Sequence, residues 1–190
     1  MNYLNELNKA MNILAKNGYM FIGQNMLFGG TSMFHTIKNV PKKQRIEVPV
    51  FEDTQMGISI GMTLDRLKIC SVYPRMDFLL LAFNQLINHA DKVDIMSDNQ
   101  FKLKGLIIRT AIGSSQPLMP GPQHCQDYTE ALKLMCKRIQ VVKLDKMENI
   151  IKEYQDAMNR EYPTVLIEIP DLYNKDLTND LIESRKIIIK

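Results

Sequence analysis

The sequence predicts an α/β domain built on a mainly parallel sheet with helices on both faces. Short apolar runs bounded by breakers alternate along the chain with stretches of helical spacing. Those runs are continuously apolar, as strands buried on both faces require, rather than alternating between apolar and polar. A chain of 190 residues is long enough for one well-buried domain and short for two.

The elements follow in order. Leu4, Leu7, Met11 and Leu14 recur at the spacing of one helix face. Asn17-Gly18 supplies the stop, because glycine accepts the left-handed backbone that follows a helix end. Residues 19–23 (YMFIG) read as a short buried strand, and residues 45–50 (RIEVPV) as an extended segment whose Pro49 denies it a full hydrogen-bond ladder. Residues 52–67 form a helix with Met56, Ile60 and Leu64 four apart; Gly57, Ser59 and Gly61 would weaken it in isolation and point to close packing against another backbone. A strand at 68–73 (KICSVY) precedes a helix at 76–90, apolar on most faces and therefore buried in a core or a subunit interface. Residues 104–111 are a strand, 113–126 a Pro/Gly/Ser loop, 127–136 a helix and 138–143 a strand. Asp145 and Glu148 have capping-box-like spacing ahead of a helix carrying Met147, Ile150, Ile151, Tyr154 and Met158. Pro163 breaks that helix before a last strand at 164–169. Periodicity fades after Pro170, which predicts a domain over 1–170 and a C-terminal tail over 171–190.

Composition excludes several functions. The chain is 45% hydrophobic and 24% charged, the balance of a soluble globular domain. A net charge of +3, with its basic residues scattered, argues against nucleic acid and membrane partners. No apolar run is long enough to span a bilayer, and the first nineteen residues lack the apolar stretch of a signal peptide. Three cysteines, Cys70, Cys125 and Cys136, form no CxxC pair and leave an odd thiol, which together place the protein in a reducing, cytoplasmic setting. His35, His89 and His124 have no metal-ligand spacing, so no metal site is assigned to this chain. The phosphate-binding motifs GxxxxGK[ST] and GxGxxG are absent, as is the GxSxG elbow of hydrolases.

Five segments in order carry a resemblance: FIGQNMLFGG, VPVFEDTQMGISIGMTL, YPRMDFLLLAFNQLINHADKV, GLIIRTAIG and PGPQHCQD. Together they resemble the beta subunit of the 2-oxo-acid dehydrogenase first component, the pyruvate and branched-chain enzymes. The likeness is to its transketolase-like pyrimidine-binding domain and covers residues 19 to 173. It implies a thiamine diphosphate-binding fold in which Glu52 hydrogen-bonds N1′ of the aminopyrimidine, Phe78 packs against that ring, and His124 of the QH motif faces substrate and moves protons. The chemistry suits those residue types. The cofactor's own 4′-imino group removes its C2 proton, and forming that tautomer needs an acid at N1′. An aromatic face grips the ring, and a histidine titrates near neutral pH. The family holds the diphosphate through Mg²⁺ at a Gly-Asp-Gly motif, which this sequence lacks. The resemblance therefore implies a half-site, with Mg²⁺ and diphosphate held by a partner subunit and the whole assembled as a heterotetramer acting on a small molecule.

Two departures qualify the likeness. An acidic residue usually follows the glycine of the first strand, where this chain has Gln24; another often follows the 68–71 strand, where it has Val72. Duller readings compete at each site residue. Glu52 suits a helix start on charge alone, because its carboxylate opposes the helix dipole. Phe78 would be core in most proteins. His124 would be a surface loop residue, and His89 a hydrogen-bonded packing residue. A Cys125/His124 dyad is disfavoured because adjacent side chains rarely meet. The rival to a half-enzyme that decarboxylates a 2-oxo acid or transfers a ketol or acyl unit is a non-catalytic relic that stabilises or regulates its partner.

Overall fold

The computed structural model describes residues 2–114 and 119–173. Six strands, β1 (Met20–Gly23), β2 (Arg45–Glu47), β3 (Ile69–Tyr73), β4 (Leu106–Ala111), β5 (Gln140–Lys143) and β6 (Thr164–Glu168), form one sheet in the order β2-β1-β3-β4-β6-β5. Every pairing is parallel. All residues of β3, β4 and β6 are buried. Their side chains divide between two cores by the period-two alternation of a strand: Cys70, Val72, Ile107 and Leu166 enter one, Ile69, Tyr73, Ile108 and Ile167 the other.

Among the described residues the helices are α1 (Tyr3–Lys16), α2 (Phe34–Ile37), α3 (Glu52–Leu64), α4 (Met76–Leu79), α5 (Val93–Met96), α6 (Thr129–Met135) and α7 (Ile150–Asn159). On one face lie α1, α2 and α7, with Leu7, Met11, Leu14, Ile37, Ile150 and Tyr154 turned inward. On the other lie α3, α4 and α6, with Met56, Ile60, Leu79 and Leu132 inward. Asn2 caps α1 by accepting the Asn5 N–H, and Gly18 takes φ 83 just past its end, as the sequence implies. Asp91 ties the two halves of the second face: its carboxylate accepts the backbone N–H groups of Lys137, Arg138 and Ile139 at 2.8 to 3.0 Å.

Several elements differ from expectation. The helix expected over 76–90 is three pieces: α4, a 3₁₀ turn at Leu80–Ala82 and π-helical turns at Asn84–Ala90. Apolar spacing fixes which side chains turn inward but not the rise per residue, so it cannot separate these forms. Of the two expected settings, core or subunit interface, the core takes only part of the segment, since Leu81 is 61% exposed in the single chain. The helix expected over 52–67 stops at Leu64 because Arg66 adopts φ 65, and β4 starts after Gly105 at φ 93. No capping box forms at Asp145; a 3₁₀ turn at Met147–Asn149 leads into α7 without a side-chain cap. A turn at Pro170–Leu172 follows β6, and Tyr173 is buried in the first core. Residues 174–190 of the expected tail, and 115–118 of the expected loop, lie outside the described residues.

Candidate active site

The connection after β1 crosses to the face of α2, while the one after β3 crosses to the face of α4. Adjacent parallel strands whose connections part in this way leave a crevice beyond their carboxyl ends, where α/β folds bind ligands. Gly23 ends β1 there, in register with Val72 of β3. A Cβ on Gly23 would stand 2.4 Å from the Val72 carbonyl oxygen, so only glycine lets the strands approach this closely.

Gln24 follows at once, on a loop fastened by Glu47. The Glu47 carboxylate accepts the Asn25 N–H at 2.7 Å and the Leu27 N–H at 2.8 Å, and Arg45 Nη1 donates to the Met26 carbonyl at 3.1 Å. So held, Gln24 Nε2 donates to Glu52 Oε1 at 2.9 Å. Glu52 is the first residue of α3 and only 3% exposed. Its carboxylate lies at the helix N-terminus, whose partial positive charge favours an anion. Among the described residues Gln24 alone donates to that carboxylate, which leaves Oε2 for another partner.

Behind Glu52 a polar chain runs between α3 and β3. Gln55 Nε2 donates to the carbonyls of Ile22 and Val72 and to Ser71 Oγ at 3.0 to 3.3 Å, and Ser59 Oγ donates to Ser71 Oγ at 2.9 Å. The Tyr73 hydroxyl reaches the Glu52 carbonyl at 3.4 Å; burial holds that phenol well above its ordinary range, so it stays a neutral donor. Gln85 packs over Gly57 of α3, where Gln85 Nε2 donates to Asp53 Oδ2 at 3.3 Å and Gln85 Oε1 meets His89 Nδ1 at 2.9 Å. His89 is thus a hydrogen-bonded packing residue, as expected.

Phe78 of α4 and His124 of the QH loop come together from separate parts of the chain. Their rings meet edge to face, centroids 5.2 Å apart at 89°. Arg75 Nη1 donates to the His124 carbonyl at 3.2 Å, and the Gln126 N–H reaches Asp77 Oδ1 at 3.3 Å, tying the QH loop to α4. Both rings are half-buried, and Phe78 belongs to neither core. Cys125 turns its sulfur to the Ser114 carbonyl at 3.8 Å. The structure therefore joins Phe78 to His124, but no hydrogen bond or ring contact among the described residues joins either to Glu52. Sequence reasoning missed Arg75 and Tyr73 at this edge. Their signal was position, since both stand where β3 passes into α4.

Among the described residues no group of three His, Cys, Asp or Glu side chains could hold a metal ion, and no helix is long and apolar enough to cross a membrane.

No protein-family model matches the chain. It is similar to a pyruvate dehydrogenase E1 component subunit beta of Chaetosphaeridium globosum, 29% identical over 143 residues covering 75% of this chain and 42% of the relative. A 2-oxoisovalerate dehydrogenase subunit beta 2 of Arabidopsis thaliana is 29% identical over 60% of the chain and 33% of its own length. A chloroplastic pyruvate dehydrogenase E1 subunit beta-3 of Oryza sativa subsp. japonica is 30% identical over 68% of the chain and 32% of its own. The chain thus spans about a third to two fifths of these relatives. In fold it matches a split gene transketolase, described as an inactive beta4 tetramer, with TM-score 0.69 at 13% identity over 90% of this chain and 51% of that one. It also matches a 2-oxoglutarate:ferredoxin oxidoreductase from Magnetococcus marinus, with TM-score 0.61 at 12% identity over 92% of this chain and 30% of that one. The resemblance read from the five segments holds: the chain is similar to E1 beta subunits, and its all-parallel α/β fold is that of transketolase-like proteins.

Proposed function

We propose that this chain is the pyrimidine-domain subunit of a two-subunit thiamine diphosphate enzyme that decarboxylates a 2-oxo acid or transfers a ketol or acyl unit. The observation that carries the proposal is the Glu52 carboxyl group, buried at the β1/β3 crevice with one oxygen held by Gln24 and the other unclaimed among the described residues. A group so placed fits the N1′ edge of an aminopyrimidine and poorly fits a solvated helix-cap role. When bound, the cofactor supplies the carbon nucleophile and stores the electron pair released from substrate. Glu52 holds or passes a proton at N1′, with Gln24 fixing its orientation. Phe78 offers an aromatic surface to the ring, and His124, steadied by that ring and by Arg75, stands ready to exchange protons with substrate. The sequence has no Gly-Asp-Gly, so a partner subunit is proposed to hold the diphosphate and Mg²⁺. That a similar fold occurs in a split-gene transketolase described as an inactive tetramer of one chain accords with a site needing two gene products.

The test is co-expression with a partner carrying Gly-Asp-Gly and a following Asn, then calorimetry and turnover. The chain alone should bind thiamine diphosphate weakly, and the pair tightly with Mg²⁺. Glu52→Gln should cut turnover of the pair about 10²-fold or more, the scale of a lost general acid. Full turnover in Glu52→Gln would remove the proposed role. A stable pair whose activity ignores Glu52, Phe78 and His124 would favour the regulatory relic.

A further inference from the structure

At the opposite end of the sheet, by the amino ends of β1, β3 and β4, a cleft of about 470 Å³ is walled by Tyr19, Leu64, Arg66, Lys68, Phe101, Lys102, Lys104 and Met158 among others. Its size suits one small molecule. Four of its residues are cationic and none is acidic. Two cations already have protein partners. Lys68 Nζ donates to the Asn17 carbonyl at the end of α1, and Lys102 pairs with Glu161 at 2.6 Å, a carboxylate that also feels Lys104. Arg66 and Lys104 form no ion pair among the described residues.

Arg66 adds an independent observation. It occupies the position after the C-cap of α3 with φ 65, and its N–H closes on the Thr63 carbonyl at 2.9 Å. Glycine is the usual residue there because a Cβ strains the left-handed backbone. Arg66 holds this strained conformation where glycine would be relaxed, and its guanidinium makes no ion pair among the described residues. Cations near helix C-termini can also serve only to offset the dipole. That duty is already met at α1 by Lys68, and at α3 a lysine elsewhere in the turn would meet it without strain. Arg66 instead brings to the cleft lining a planar fork of donors, suited to two phosphate oxygens at once. Phe101, 51% exposed, and Leu64 supply apolar surface to the same lining.

We infer that this cleft is a second ligand site, taking an organic phosphate with a planar ring: phosphate on Arg66 and Lys104, ring on Phe101 and Leu64. It stands on different residues from the Glu52 crevice, so its success or failure is independent of the proposed enzyme function.

The probes are ADP, inorganic pyrophosphate and adenosine, titrated calorimetrically into the full 190-residue chain. ADP should bind, adenosine should not, and pyrophosphate should bind at least tenfold more weakly than ADP. Arg66→Gly and Lys104→Ser should each weaken ADP at least tenfold, while Phe101→Ala should weaken ADP and leave pyrophosphate unchanged. Arg66→Gly has a second readout, because relief of backbone strain should hold or raise the melting temperature as binding is lost. A fall in melting temperature with ADP affinity unchanged would show Arg66 to be a structural cap and overturn the site. So would the absence of ADP binding at millimolar concentration, or adenosine binding as tightly as ADP.

Discussion

On one face of the sheet α1, α2 and α7 close over a core with a charged centre; on the other, α3, the 76–90 segment and α6 leave apolar side chains in water. The first face buries Arg109 and Glu168 completely. Arg109 Nε donates to Glu168 Oε1 at 2.7 Å, Arg109 Nη2 contacts the same oxygen, and Nη2 also donates to Thr36 Oγ1 at 2.9 Å. The Tyr154 and Tyr173 hydroxyls donate to Glu168 at 3.0 and 2.6 Å, and burial raises both phenols far above their ordinary range. The second face exposes Ile58 and Leu64 on α3, Leu80 and Leu81 beyond α4, and Leu134 and Met135 on α6, whereas α1, α2 and α7 expose no large apolar side chain among the described residues. A face that pairs its buried charges from within, although Arg109 Nη1 has no hydrogen-bond partner among the described residues, is closed; one that leaves leucines in water asks for a partner. In the proposed assembly the second face is the one covered.

The largest expected effect lies in the closed face. Glu168→Leu strands a buried guanidinium together with two tyrosine hydroxyls, and should cost about 3–5 kcal/mol in urea denaturation. Adding Arg109→Met should recover part of that loss, because an apolar pair no longer needs a counter-charge. Recovery stays incomplete, since Thr36, Tyr154 and Tyr173 still lose their partner. If Glu168→Leu were neutral, the charged centre would not be what seals this face.

Thiol chemistry divides the molecule along similar lines. Burial pushes Cys70 and Cys136 each up to about 12, so at pH 8 their thiolate fraction is about three orders of magnitude below that of an ordinary thiol. Cys125 is half-buried in the QH loop. Iodoacetamide should alkylate Cys125 first, then Cys136 at the edge of the second face, with Cys70 modified only on global unfolding; mass spectrometry of timed samples reads the order. Rapid loss of Cys70 would show that the first face opens readily.

The elements a single sequence discloses are those fixed by side-chain period. The i, i+3, i+4 spacing of α1 and the apolar runs of β3, β4 and β6 survive into the fold within one or two residues, because burial on a given face is what the pattern records. What escaped depends on partners distant in the chain. Arg109 and Glu168 interrupt two apolar strands with opposite charges 59 residues apart, a signal visible only once β4 and β6 are known to be neighbours. Glu52, Phe78 and His124 are proposed site residues on the strength of the five-segment resemblance rather than of spacing. The Gln24 contact with Glu52 was not legible there, although Gln24 had stood out as a departure from that resemblance. The four residues of α2 follow a glycine-rich stretch and carry too little period to be recognised.

The smallest expected effect on stability belongs to the unfinished face, and there its smallness is informative. Leu81 is 61% exposed, so Leu81→Asp removes little packing and should shift the unfolding free energy of the separated chain by no more than about 0.5 kcal/mol, the range of ordinary surface changes. In the proposed assembly the same aspartate would be buried without a counter-charge, which an interface core does not tolerate. Sedimentation of the co-expressed pair should therefore show the native assembly reduced to smaller species, with the thermal midpoint of the separated chain preserved. Were Leu81→Asp instead to leave the assembly intact, the exposed leucines would be incidental and the contrast between the two faces would reduce to the buried ion pair alone.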